Sequence, residues 1–519
     1  MAKFLTVRQA ADAVPDGAAL VACGFGGILT AEGVLKALGE RFAETGHPRE
    51  LTTLHASVPG DGRSRGMNYL AQPGMIRRAM GGHFALMPKI AKLIADNQIE
   101  GYNFPQGVLS HMYRAAGAGH RFYLSPIGLK TYVDPRLEGG KMNAKTTEDL
   151  VELVTVDGRE YLKYTIIQPT VAVLRGTTAD ELGNISMEKE ANTLDALSMA
   201  LAAHHNGGLV IVQVERLAQA GSLDPQKVKI PGVLVDIVAV ADDPAIHMQS
   251  YSTQYDPALS GEIRRPIGAV TPLPLDVRKV IARRGVFELK PDCNINLGIG
   301  VPEGMGTVAG EEGMLHRCRF SVEAGIFGGM PLSGMDFGAA VNVEAIVDQC
   351  TMFDFYMGGG LDQTFLGLAQ ADSQGNVNVS RFGGKIKGCG GFIDITQCTP
   401  EVTFLGTMTA DGLEVEIEDG KLRILREGKS KKFVRQVEQV TFSGDRAREE
   451  GQRVTFITER CVLRLEEDGL VLTEIAPGVD LEKDVLGQME VKPRVSPDLK
   501  EMNPAIFREG KMGATFREV

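Results

Sequence analysis

Short apolar runs, rich in β-branched residues and bounded by glycine, proline or aspartate, recur along this sequence and constrain its fold more than any other feature. Ala18 to Cys23, Leu51 to His55, Thr170 to Leu174, Gly208 to Val214 and Val233 to Val240 are examples. They do not show the strict alternation of a strand with one wet face. Each reads as a strand buried on both sides, and such strands belong to parallel sheets covered by helices. Helix-like stretches, the amphipathic Val7 to Val14 and Ala31 to Leu38, stand between them. The alternation predicts an α/β protein.

A chain of 519 residues is too long for one ordinary core, which points to two or more domains. After Ser250 the pattern lapses into a polar stretch carrying Pro266, Pro272 and Pro274, then α/β alternation resumes with Val277 to Phe287 and Asn294 to Leu297. This predicts an N-terminal domain over 1–250, a connection over 251–276 and a C-terminal domain over 277–519. The halves share landmarks. Gly24-Phe25-Gly26-Gly27 is echoed by the turn Gly298 to Gly304, and Asp180-Glu181-Leu182-Gly183-Asn184 by Asp372-Ser373-Gln374-Gly375-Asn376. Two matched features in one order suggest a duplication: two related open α/β domains, each a mostly parallel sheet flanked by helices, with the site expected at their interface.

Several function classes fall away. The formal charge is −11, with no basic run able to follow a nucleic-acid backbone. The pairs Arg264-Arg265 and Arg283-Arg284 and the tract Lys429, Lys431, Lys432 read as solvated faces. No stretch reaches the roughly 18 apolar residues of a membrane helix, and the start lacks a signal-peptide core, so a cytoplasmic protein is expected. The seven cysteines are scattered and read as buried thiols. The histidines have no metal-ligand spacing, and neither a Gly-x-Ser-x-Gly elbow nor a phosphate-loop lysine motif occurs.

The segment with most chemical promise is Ser321-Val322-Glu323-Ala324-Gly325-Ile326-Phe327-Gly328-Gly329. A lone carboxylate ends an apolar strand, and the glycines after it permit close approach of a ligand or another backbone. It is either a nucleophile or a strand-end Glu facing water. The turn Gly298 to Gly304 offers backbone N–H groups to an anion at a helix start. Gly388-Cys389-Gly390-Gly391 reads as a turn before an apolar strand, Phe392 to Ile395; its amides could stabilise an oxyanion, and Lys385 and Lys387 could meet a phosphate. In Asn103-Phe104-Pro105-Gln106-Gly107 an amide side chain could donate to an oxyanion or brace the loop.

Together these segments, with Phe353-Asp354-Phe355-Tyr356-Met357-Gly358-Gly359-Gly360 and Ile475-Ala476-Pro477-Gly478-Val479-Asp480, resemble the family I coenzyme A transferases, in particular the fused single-chain bacterial enzymes. The resemblance covers nearly the whole chain. It implies that Glu323 is the nucleophile, that Gln106 and the backbone N–H of Gly391 form the oxyanion hole, and that Asn296 lies beside the thioester. Gly26, Gly298, Gly300 and Gly390 are the further candidates for contact with substrate or coenzyme A. It further implies exchange of coenzyme A between a short-chain acyl-CoA and a free carboxylate such as acetate, no tightly bound cofactor or metal, and a homo-oligomer, a tetramer by preference. An acyl-CoA hydrolase on the same fold, a silent ligand-binding protein and an acyl-transfer subunit remain as alternatives.

Overall fold

The structure is a computed structural model, described here for residues 2–266 and 272–518. Part of the expected connection over 251–276 lies outside the described residues. The chain forms two compact units that interleave in sequence: residues 1–265, 322–354 and 383–394 make the first, and residues 266–321, 355–382 and 395–519 the second. The contiguous division at 251–276 is thus a division of the chain, while the packed units borrow segments across it.

The first unit is built on an eight-stranded sheet. Its spatial order is Lys3–Leu5, Ile237–Val240, Leu209–Val214, Val171–Arg175, Ala19–Ala22, Leu51–His55, Ile76–Gly81, Glu100–Asn103. Every neighbouring pair is parallel, as the unalternating apolar runs require. After the edge strand Lys3–Leu5 the chain crosses to the middle at Ala19–Ala22, builds outward through Glu100–Asn103, and later fills the space between with Val171–Arg175, Leu209–Val214 and Ile237–Val240. Loops leaving the carboxyl ends of such a sheet are where α/β proteins bind ligands.

The second unit carries the parallel strands Cys318–Val322, Cys293–Leu297, Gln363–Gly367, Glu401–Leu405 and Arg453–Ile457, in that spatial order. Cys461–Glu466 and Gly469–Ile475 then extend the sheet antiparallel. The expected echo between the halves is a matched geometry. Asp180 Oδ1 accepts the N–H groups of Leu182 and Asn184 at 3.0 and 2.9 Å, and Asn184 Nδ2 donates to Asp180 Oδ2 at 3.0 Å. Asp372 repeats this with Gln374 and Asn376 at 3.0 and 3.1 Å, closed by Asn376 Nδ2 at 3.1 Å.

Three expectations are corrected. Phe392 to Ile395 is no strand but the start of a helix, Phe392–Cys398; four apolar-patterned residues fit either element, and the preceding Gly390-Gly391 frees the chain to turn into a helix. Arg283 and Arg284 are buried: Arg283 donates to the carbonyls of Ile506, Arg508 and Gly510, while Arg284 pairs with Glu288 and Glu474. A guanidinium fork can cap several carbonyls at once, so burial is tolerated. Cys23, Cys350, Cys389 and Cys461 are buried thiols as expected, but Cys293, Cys318 and Cys398 are only half-buried. Among the described residues no helix is long and apolar enough to cross a membrane.

Candidate active site

Three adjacent strands of the first unit end close together, and each is followed by a residue of interest. His55 ends one strand and leads to Ala56 and Ser57; Gly81 ends the next and leads to Gly82 and His83; Asn103 ends the third and leads to Gln106. Gly81 and Gly82 are required here, since a Cβ would lie 1.9 Å from His55 Nε2 and 2.1 Å from the Ala56 carbonyl respectively. Asn103, completely buried, is used up as a brace. Its Nδ2 donates to the carbonyls of Gly81 and Gly82 at 2.7 and 2.6 Å, and its Oδ1 accepts from the N–H of Cys389 at 3.0 Å and from the Tyr132 hydroxyl. Bracing is thus the part that Asn103 plays in this segment.

Pro105 stands at the N-cap of the helix Gln106–Gly117, and Gln106 is its first residue. A missing N–H costs nothing at a helix start, which is why proline opens it well. The Gln106 N–H donates to the Gly390 carbonyl at 2.9 Å, and the Gly390 N–H donates to the Gly82 carbonyl at 2.7 Å. The Gly390-Gly391 turn is therefore tied to Gln106 and Gly82 together. A Cβ on Gly390, whose φ is +54°, would lie 3.6 Å from Gln106 Oε1. Gly391 is buried immediately before the helix Phe392–Cys398.

Glu323 follows the strand Cys318–Val322 and is half-buried. The turn after it is pinned: the Gly325 N–H donates to the Val322 carbonyl at 3.0 Å, and the Gly325 carbonyl accepts from the Val347 N–H at 2.8 Å. Gly325 has φ +111°, and a Cβ there would sit 2.0 Å from the Val347 carbonyl oxygen, so no other residue fits. Two residues beyond Val347 comes Gln349, wholly buried. Its Oε1 accepts from Gln106 Nε2 at 3.1 Å and from Ser57 Oγ at 2.8 Å, and its Nε2 donates to Asp195 Oδ2 at 2.6 Å. Ser57 Oγ also accepts from Gln106 Nε2 at 3.1 Å, and Ser110 Oγ donates to Asp195 Oδ1. Glu323 is thus linked through Gly325, Val347 and Gln349 to the amide of Gln106.

Sequence reasoning missed Ser57, Gln349 and Asp195. They stand 292 and 154 residues apart along the chain, and no local pattern marks them.

Asp195 in this group and Asp394 beside Gly107 are buried acids, and neither has a cationic partner within ion-pair distance among the described residues. Burial pushes the Asp195 carboxyl up to about 7 against the pull of the Ser110 hydroxyl, with the Asp348 charge adding to the rise. Burial likewise pushes Asp394 up to about 8, although the N–H groups of Gly107 and Val108 at the start of the helix Gln106–Gly117 oppose it. His83 is pushed down to about 4, by burial first and by the Lys387 charge second, so it stands neutral at pH 7.

The remaining candidates are held by their own surroundings. Gly26, with φ +58°, donates its N–H to the Val58 carbonyl at 3.1 Å, and its carbonyl accepts from Thr30 Oγ1 at 2.8 Å. Asn296, Gly298 and Gly300 belong to the second unit. Asn296 is buried, its Oδ1 accepting from Thr364 Oγ1 at 3.3 Å. The Gly298 N–H donates to the Phe365 carbonyl at 2.8 Å, and the Gly300 N–H bonds the Glu303 carboxylate. The amides of Gly298 and Gly300 are therefore taken up within the chain. Among the described residues no group of three or more His, Cys, Asp or Glu is arranged to hold a metal ion.

Comparison with known proteins places the chain in a family. The family model described as Coenzyme A transferase matches residues 4–241. The chain is 46% identical over 514 residues to the caffeate CoA-transferase of Acetobacterium woodii, covering 98% of each. It is 44% identical to the acetate CoA-transferase YdiF of Escherichia coli K12, over 99% of this chain and 97% of that one. The crystal structure of the acyl-CoA transferase YdiF from Escherichia coli O157:H7, solved as a thioester complex with CoA, superposes with a TM-score of 0.94 at 43% identity, over 100% of this chain and 98% of that one. The chain is an enzyme of the coenzyme A transferase family.

Proposed function

We propose that this enzyme exchanges coenzyme A between a short-chain acyl-CoA, acetyl-CoA foremost, and a free carboxylate, by a ping-pong route through a glutamyl-CoA thioester on Glu323. The observation that carries the reading is the chain of bonds from the Glu323 turn through Gly325, Val347 and Gln349 to Gln106, and from Gln106 to Gly390. It holds a carboxylate-bearing turn, an amide donor and a glycine turn in register. Nucleophile and oxyanion donors must be fixed together for a carboxylate to attack a thioester.

In the first step the ionised Glu323 carboxylate attacks the acyl carbonyl. The tetrahedral intermediate collapses with loss of CoA thiolate and leaves a mixed anhydride. The thiolate then attacks the Glu323 carbonyl carbon, releasing the free carboxylate with one oxygen from Glu323 and leaving the glutamyl-CoA thioester. An incoming carboxylate runs these steps in reverse. Thioester energy is conserved throughout. Each intermediate places negative charge on oxygen, where Gln106 Nε2 and the Gly391 N–H donate. Gln106 Nε2 bonds both Ser57 and Gln349, and it exchanges one of these acceptors for the oxyanion as charge develops. Asp394, and Asp195 up to about pH 7, are kept protonated by burial, so neither adds an anion to the polar cluster around Gln106.

The relatives act, by name, on caffeate and on acetate at nearly equal identity, so resemblance alone favours neither acid. Acetate, the smaller of the two acids, is the one to test first. Intact-protein mass spectrometry after mixing with acetyl-CoA, without acceptor, tests the mechanism. Wild type should gain one covalently bound CoA and Glu323→Ala none. Near-normal transfer by Glu323→Ala would falsify it, and release of thiol by wild type with no adduct would make the protein a hydrolase.

A further inference from the structure

A cavity of about 680 Å³ in the first unit, an ordinary size for a small-molecule site, is lined by none of the residues placed above in the active site. Its walls carry four cations. Lys189 is paired with Glu215 at 2.8 Å and Arg216 with Glu188 at 2.9 Å. Lys227 and Lys229 stand two residues apart where the strand Val228–Ile230 begins, and so share a face; neither has a carboxylate within ion-pair distance among the described residues. The other carboxylates of the wall are engaged, Glu190 with Arg175 at 3.0 Å and Glu262 with the Tyr255 hydroxyl. Asn192, also in the wall, is buried. Its Nδ2 donates to the Gly338 carbonyl at 3.2 Å, but its Oδ1 accepts from no group among the described residues. A buried amide oxygen without a donor is costly to a fold, and a ligand in the cavity can supply one.

The uncommitted chemistry is therefore two ammonium groups, one acceptor and the apolar surface of Met187, Tyr255 and Ile346. A pair of lysines acts as two point charges and suits a phosphate, whereas a carboxylate is matched best by a guanidinium fork. Inorganic phosphate would leave Asn192 Oδ1 without a donor, and a neutral polyol would leave the lysines without an anion. A phosphate ester bearing hydroxyl groups answers both. The wall also reaches toward the active site. Thr193, which lines the cavity, donates from Oγ1 to Asp348 Oδ1 at 2.6 Å; the Gln349 N–H donates to the Leu194 carbonyl at 2.9 Å, and Gln349 Nε2 donates to Asp195 Oδ2 at 2.6 Å. The three residues after Asn192 thus grip the two that lead to the acceptor of the Gln106 amide.

We propose that this cavity is an effector site for a hydroxylated phosphate ester, separate from the substrate site, whose occupation is felt at Gln349 through Thr193, Leu194 and Asp195. Calorimetric titration of the wild-type enzyme with glucose 6-phosphate and with glycerol 3-phosphate should show one site per chain for at least one of them, bound more tightly than inorganic phosphate. Lys227→Ala/Lys229→Ala removes two charge-assisted contacts made by exposed side chains, so the variant should keep its melting temperature and bind the ester roughly ten- to hundredfold more weakly. Saturating coenzyme A should leave the site open. Failure of both esters to bind, equal binding of inorganic phosphate, equal binding to the variant, or displacement by coenzyme A overturns the proposal. Hydrogen–deuterium exchange reads the link to Gln349: the bound ester should slow exchange in peptides covering 192–195 and 346–350 of the wild type and not of the variant. Unchanged exchange overturns the effector role. None of these readouts depends on which acyl group the enzyme transfers.

Discussion

Each unit buries a cluster of polar side chains, and the two are neutralised by opposite means. In the second unit Glu288 is surrounded by guanidinium groups: Arg284 at 3.0 Å, Arg453 at 2.9 Å, Arg464 at 3.7 Å and Arg517 at 3.8 Å. Burial pushes the Glu288 carboxyl up, but Arg284, Arg464 and Arg453 together outweigh it and hold the group below its ordinary range. In the first unit the cluster of Gln106, Ser57, Gln349, Ser110 and Asp195 contains no cation, and its acid is neutralised by keeping its proton. The ion-paired cluster suits a scaffold. The uncharged one leaves amide donors that can be turned to a substrate without breaking a salt bridge.

The comparison breaks most visibly at Glu288. Glu288→Ala removes the carboxylate that Arg284, Arg453, Arg464 and Arg517 share, leaving their buried and half-buried charges less compensated, and should cost about 3–5 kcal/mol of stability in denaturant unfolding, while the folded fraction keeps its kcat. Gln106→Ala should do the reverse. Losing an oxyanion donor worth on the order of 3 kcal/mol should lower kcat about a hundredfold, with the urea midpoint nearly unmoved; a smaller fall than tenfold would remove Gln106 from the oxyanion hole. Gln349→Ala removes the acceptor that orients Gln106 and should lower kcat roughly tenfold with KM little changed. Loss of stability without that kinetic split would make Gln349 a scaffold residue only.

The smallest effect concerns pH, and the two clusters should respond with opposite sign. Asp195 titrates near 7 when folded and near 3.8 when unfolded. Below about pH 4 both states hold the proton; from there to about 7 the folded state alone holds it, and stability falls as pH rises. Asp394 acts in the same sense up to about 8. For Glu288 the folded value is depressed, so its stabilisation is present above the ordinary 4.5 and is lost as pH falls through the folded value. Asp195→Asn, which resembles the protonated acid, should raise the melting temperature by a few degrees at pH 8 and leave it unchanged at pH 4. A gain equal at both values would mean that Asp195 is not protonated in the native state.

Much of this was legible in sequence because it depends on local constraint. The parallel strands announce themselves by apolar runs, the Asp180 and Asp372 turns by Asp-x-x-Gly-Asn spacing, and the turn after Glu323 by its glycines, one of which, Gly325, is forced by a carbonyl 2.0 Å from its would-be Cβ. Phe392 to Ile395 was read wrongly because a run that short is compatible with strand or helix until its neighbours are known. Arg283 and Arg284 were read as solvated because charge is normally exposed, and the carbonyls and carboxylates that admit them come from residues near 474 and 506–510.

The sequence by itself determined the α/β class, the parallel strands, the repeated turns and the ordered motifs that mark the coenzyme A transferase family, since periodicity, turn chemistry and motif order are properties of neighbouring residues. Only the tertiary structure decided that Gln106 opens a helix tied to Gly390, that Gln349 and Ser57 hold its amide, that Asp195 and Asp394 are buried without cations, and that Lys227 and Lys229 share a cavity with the buried Asn192. These are relations between residues as far as 292 positions apart, and they exist only once parallel strands have brought their loops to one edge of a sheet.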